Sequence, residues 1–230
     1  MNVIASGNVN ALEWRMIETR LRYKLVNTSR HFDDGVDQIT QEALYKIVVR
    51  GYEGAHGEAI TQFEPELARS YCGQRRVALI ESALLGLPRR FPGTQAELVP
   101  NSVRSHHHVE FRSRDVVIAA SKSQGPLTLP RTALFRDHLY ASNTHGLFDE
   151  PEEGDDPLFC LLLHGVYGSS LVAKPDFVTV VYPLPGGTGI AGAIDLKARF
   201  GQDATPQGSS GEREEKMVGG LRKDAKKKVS

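Results

Sequence analysis

At 230 residues, with 40% hydrophobic and 24% charged side chains, the chain has a globular composition and is long enough to bury a core without disulfides or metal. Its 28 lysines and arginines balance 28 aspartates and glutamates, so no net field draws the whole molecule to nucleic acid or to an anionic membrane, and any such attraction is local. Cys72 and Cys160 form neither a disulfide framework nor a metal knuckle, Met1–Asn10 lacks a basic-then-apolar leader, and no apolar run spans a bilayer, which gives the expectation of a cytoplasmic protein without membrane contact.

Trp14, Ile17, Leu21 and Leu25 recur at three- and four-residue steps and predict a first helix, capped by Asn10, with Arg15, Arg20, Arg22 and Lys24 mostly off the stripe. Asp37 predicts the N-cap of a second helix that buries Ile39, Ala43, Ile47 and Val48 and ends at Gly51, with Gly54 and Gly57 in the following loop. Phe63, Leu67 and Tyr71 suggest a third helix, for which Thr61 and Glu64 have capping-box spacing and which tolerates Pro65 in its first turn. A fourth helix buries Val77, Ile80, Leu84 and Leu87 and stops at Gly86 and Pro88. The link Gly73-Gln74-Arg75-Arg76 makes the last two a packed pair, because the first turns after Arg76 are too apolar to read a DNA groove.

From about Ser105 the pattern becomes strand-like. Val109 and Phe111 alternate with His108, Glu110 and Arg112, and Val116–Ala120 reads as a strand buried on both sides. Pro130 opens a short helix with Leu134, Phe135 and Leu139, and the acidic run from Asp149 to Asp156 reads as a solvated loop. Leu158–Leu163 is the most buried strand expected. Phe177–Tyr182 and Ile190–Phe200 form a hairpin around a Pro- and Gly-rich loop. Beyond Gly201 the chain has too little apolar surface to offset its entropy. The expected architecture is α+β: a helical region over 1–100, a mainly antiparallel β-rich region over 101–200, and a disordered basic tail over 201–230.

Candidate chemistry is sparse. Pro175-Asp176, followed across the hairpin by Asp195-Leu196-Lys197, resembles the PD-(D/E)xK nuclease superfamily over about twenty-three residues. The resemblance implies Asp176 and Asp195 as Mg²⁺ ligands and Lys197 as the lysine that steadies a nucleophilic water during cleavage of DNA or RNA. Leu161-Leu162-Leu163-His164-Gly165 resembles the oxyanion-hole segment of α/β-hydrolases, but no G-x-S-x-G elbow follows it, so His164 is read as a strand-end residue satisfied by a backbone hydrogen bond. On a strand, His106, His108 and Glu110 share a face, the arrangement a metal would use, with Cys160 and His164 as further donors. The lysine-rich end, including Lys226, Lys227 and Lys228, reads first as a solubilising terminus and otherwise as an arm for weak nucleic-acid contact. With no catalytic set complete, the functional expectation is a non-enzymatic binding or regulatory protein. It needs no cofactor and meets a protein partner through its helical layer; the alternative is the Mg²⁺-dependent nuclease.

Overall fold

The computed structural model describes residues 29–100, 107–131, 136, 139–140, 143, 157–168 and 170–201. The expected helix over 10–25, the acidic run and the basic tail lie outside these residues, as do Leu134 and Phe135. Within them the architecture is α+β, helices first and then a six-stranded sheet.

Helix α1 (Gln38–Gln62) starts where Asp37 predicts: an Asp37 carboxylate oxygen accepts the Thr40 N–H at 2.7 Å, satisfying one of the free amides of the first turn. It does not stop at Gly51 but continues through Gly51, Gly54 and Gly57. The reason is packing, since a Cβ at Gly51 would lie 2.6 Å from Ile80 Cγ1, so glycine there lets the second helix approach closely. The buried stripe is also offset from the expected one: Ile39 is 70% exposed, while Thr40, Leu44, Ile47, Val48 and Tyr52 turn inward.

The expected third and fourth helices are one, α2 (Pro65–Gly86), with Pro65 in its first turn. Its buried residues, Ala68, Cys72, Arg76, Ile80 and Leu84, form a single row at four-residue steps, and Gly73 to Arg76 continue the helix without a turn. Thr61 makes no capping box. Its hydroxyl donates to the Gly57 carbonyl at 2.7 Å, and Glu64 caps α2 by backbone conformation alone.

The strands are β1 (Thr94–Pro100), β2 (His107–Ser113), β3 (Val116–Lys122), β4 (Leu158–Gly165), β5 (Phe177–Pro183) and β6 (Ile190–Asp195), lying in that order across the sheet. All neighbours are antiparallel except β3 and β4, which run parallel. Strand β1 falls inside the stretch assigned to the helical region; as an edge strand with a half-exposed pattern it carries little apolar periodicity. Strand β6 is shorter than expected. An Asp195 carboxylate oxygen accepts the Ala198 N–H at 2.9 Å and turns the chain into a short helix, α3 (Leu196–Phe200).

Helices and sheet share one core. Leu44, Val48, Ile80 and Leu84 pack with Phe111, Ile118, Cys160, Leu162, Val180 and Tyr182 on one sheet face. The opposite face buries Val117, Phe159, Leu161 and Leu163 beneath Tyr140, Leu129 and Leu139. A polar clasp joins the two ends of the described chain: Arg199 donates to the Asp33 carboxylate at 2.8 Å and to the Gln41 side-chain carbonyl at 2.9 Å, and Gln41 donates back to Asp33 at 3.0 Å. No described helix is long and apolar enough to cross a membrane.

The Gly51 contact yields a stability prediction. Gly51→Val should lower the unfolding free energy by about 1–3 kcal/mol through overpacking against Ile80, read as a lower urea midpoint at unchanged slope.

Candidate functional site at the carboxyl end of the parallel pair

Strands β3 and β4 finish side by side, with Lys122 in register with His164. Side chains alternate along a strand, so His164 shares the helix-facing side with Leu162, two residues earlier, and points toward α1. There its Nδ1 lies 3.1 Å from the Tyr52 hydroxyl, with the two rings edge to face. The Arg76 guanidinium sits on the Tyr52 ring, 4.2 Å from its centre. Tyr52, Arg76 and His164 come from three elements, and none is more than 2% exposed.

Burial decides the charge of this trio. It drives the His164 pKa down to about 3, with the positive charges of Arg76 and Lys122 acting in the same direction, so the imidazole is neutral at physiological pH. Burial also pushes the Tyr52 phenol up to about 12, against the opposing pull of Arg76, so the hydroxyl keeps its proton. A neutral imidazole and a protonated phenol thus share one hydrogen bond, and Arg76 carries the only fixed charge of the three.

The segment from β4 to β5 closes over the cluster. The Val172 carbonyl accepts an N–H from Arg76 Nη2, and the Ser170 hydroxyl donates to the Arg69 carbonyl of α2 at 3.2 Å. Gly165 is needed at the start of this segment, because a Cβ there would meet the Ser123 carbonyl oxygen at 2.4 Å and the Phe177 ring at 2.5 Å. On its outer side the same segment presents Leu171 to a surface groove of about 610 Å³, lined also by Ile60, Phe63, Glu64, Leu67 and Ala68 at the turn between α1 and α2.

The residues singled out for nuclease chemistry lie at the same end of the sheet. Lys197 is on α3, not on a strand, and its amino group donates to the carbonyls of Pro175 at 3.0 Å and Asp176 at 2.9 Å. The Asp176 carboxylate accepts the Tyr167 N–H, and Asp195 serves as the α3 cap. The structure therefore brings Lys197 to the Asp176 backbone, and it gives each of the three side chains a main-chain partner. Among the described residues no group of three or more histidine, cysteine, aspartate or glutamate side chains is arranged to hold a metal ion.

Of the histidine run, His106 lies outside the described residues and His107 is exposed. His108 and Glu110 do share a face, Nε2 to Oε1 at 3.2 Å, with Arg112 bonded to Glu110 at 3.0 Å. Cys160 and His164 look the other way, toward the helices, because Glu110 is in register with Ala119 of the opposite core while Cys160 and Leu162 belong to the helix-facing one.

The chain matches no family model, no curated protein and no solved structure.

The buried histidine makes stability pH-dependent with a definite sign. The folded-state pKa is below the unfolded value, so the unfolded chain binds a proton that the folded chain refuses; stability is fully present above about pH 6.5 and falls toward pH 3. Replacing His164 by Gln should flatten the acid side of the urea-stability profile by up to ~1.4 kcal/mol per pH unit. An identical slope in wild type and variant between pH 6 and pH 4 contradicts this account.

Proposed function

We propose that this chain is a non-enzymatic binding protein that docks a partner protein at the turn between α1 and α2. The observation that carries the reading is the groove, where Ile60 and Leu67 stand 56% and 64% exposed beside Phe63 and above a floor of Ala68 and Leu171. Side chains of this size are normally buried, and a contiguous set around a concave surface marks an interaction site more than scattered single residues do. Glu64, which lines it, has no ion-pair partner among the described residues, and Glu66 follows two positions on in the first turn of α2. An apolar floor with an acidic edge suits an amphipathic helix that carries leucine-like anchors and a lysine- or arginine-rich flank.

A fluorescent model helix of alternating leucine and lysine blocks is the direct probe. Saturable binding to the full chain, weakened about tenfold or more by Leu67→Glu and reduced at high salt, is the expected result. Binding insensitive to Leu67→Glu removes the groove from the function, and binding only after deletion of residues 1–28 assigns the groove to the chain's own N-terminal stripe instead of a partner.

The nuclease alternative has one observation in its favour, the 2.9 Å contact that brings the Lys197 amino group to Asp176. Under that reading the full chain cleaves DNA or RNA with Mg²⁺, and Asp176→Ala abolishes cleavage while the urea midpoint holds. Wild-type protein inactive across Mg²⁺ and Mn²⁺ removes the alternative.

A further inference from the structure

We propose that Arg76, beneath the segment joining β4 to β5, is the receptor for a small oxyanion, a carboxylate or a phosphate borne by a ligand. Arg76 is 2% exposed, and its Nε and Nη1 groups are buried without a hydrogen-bond acceptor among the described residues, while Nη2 is occupied by the Val172 carbonyl. No carboxylate among the described residues pairs with it. Taking a guanidinium out of water is strongly unfavourable unless a counter-charge and hydrogen bonds offset the loss, and stacking on the Tyr52 ring returns only part of that.

The position itself makes the arginine informative. Its neighbours in the buried row of α2 are Cys72 and Ile80, so an aliphatic side chain of similar length satisfies every packing demand there. What an aliphatic residue lacks is a permanent positive charge with donors left over. A second positive group stands close by, because Lys122 closes the same sheet face in register with His164 and its charge is felt by that imidazole. An acid at this end, Asp176, is engaged with the Tyr167 N–H, and its charge reaches the Tyr52 phenol without forming an ion pair with Arg76 among the described residues. The site also occupies the place where ligands gather in sheets with parallel strands, outside their carboxyl ends. An oxyanion here completes the hydrogen bonding of Arg76, and the neutral, protonated Tyr52–His164 pair beside it adds no repulsion.

The test is thermal unfolding of the full chain in increasing sodium phosphate or sodium acetate, with sodium chloride holding ionic strength constant. A ligand that binds only the folded state raises the melting temperature in a saturable way. We expect such a rise with at least one anion; phosphate alone identifies a phosphate group as the ligand chemistry, and acetate alone a carboxylate. General salting-out by phosphate acts on any folded protein and persists in Arg76→Met, whereas the site-specific rise disappears in it. Should Arg76→Met fail to fold, the exposed Lys122→Ala variant provides the second reading, an apparent affinity weaker by roughly three- to tenfold. Melting curves indifferent to both anions, or shifts of equal size in wild type and Arg76→Met, overturn the proposal. The proposal is independent of the groove, and Leu67→Glu is expected to leave the anion response as it is.

Discussion

The parallel pairing of β3 with β4 is the constraint from which the rest of the molecule follows. Two adjacent strands that run the same way cannot be joined by a tight turn, so the chain between Lys122 and Leu158 has to cross back over one face of the sheet. Tyr140, Leu129 and Leu139 lie on that return path and bury the face that α1 and α2 do not reach. Both faces of the central strands are thereby apolar, which is why β4 and β5 are almost continuous runs of buried residues. The same pairing places two carboxyl-terminal strand ends next to each other, and the polar trio collects there.

Features set by local chemistry were legible in the sequence. Asp37 as a cap, Pro65 in a first helical turn, the stop at Gly86 and Pro88, and the strands at Leu158 and Phe177 all depend on a few neighbouring residues, and all stand where they were read. Features set by tertiary approach were not. Glycines at 51, 54 and 57 look like a loop until a second helix lies along them; at Gly51 the missing Cβ then becomes a packing requirement, while a Cβ at Gly57 would meet nothing within 4 Å. Asp195 and Lys197 read as alternating strand residues because nothing in their immediate sequence announces that the aspartate will cap a helix turn.

The trio of Tyr52, Arg76 and His164 escaped the sequence reading for a related reason. The sequence places His164 at a strand end with a backbone hydrogen bond, whereas the partner of its ring is the side chain of Tyr52, 112 positions away. Gly73 to Arg76 read as a link between helices, and only the unbroken row of Ala68, Cys72, Ile80 and Leu84 marks Arg76 as a charge on a buried face. Strand parity was the more dependable guide. It grouped His108 with Glu110, and extended from β2 to β4 through the register it separates them from Cys160 and His164.

The clasp among Asp33, Gln41 and Arg199 governs how the molecule can be handled. It holds the first and last described segments against the start of α1, whereas the groove lies beyond that helix's other end, about 37 Å away at the usual rise of an α-helix over 25 residues. Residues 29 and 201 therefore mark neighbouring points of departure on one pole of the protein. A fluorophore or affinity handle attached through either flank starts from the pole opposite the apolar groove, and labels on both flanks begin close enough for energy transfer between them.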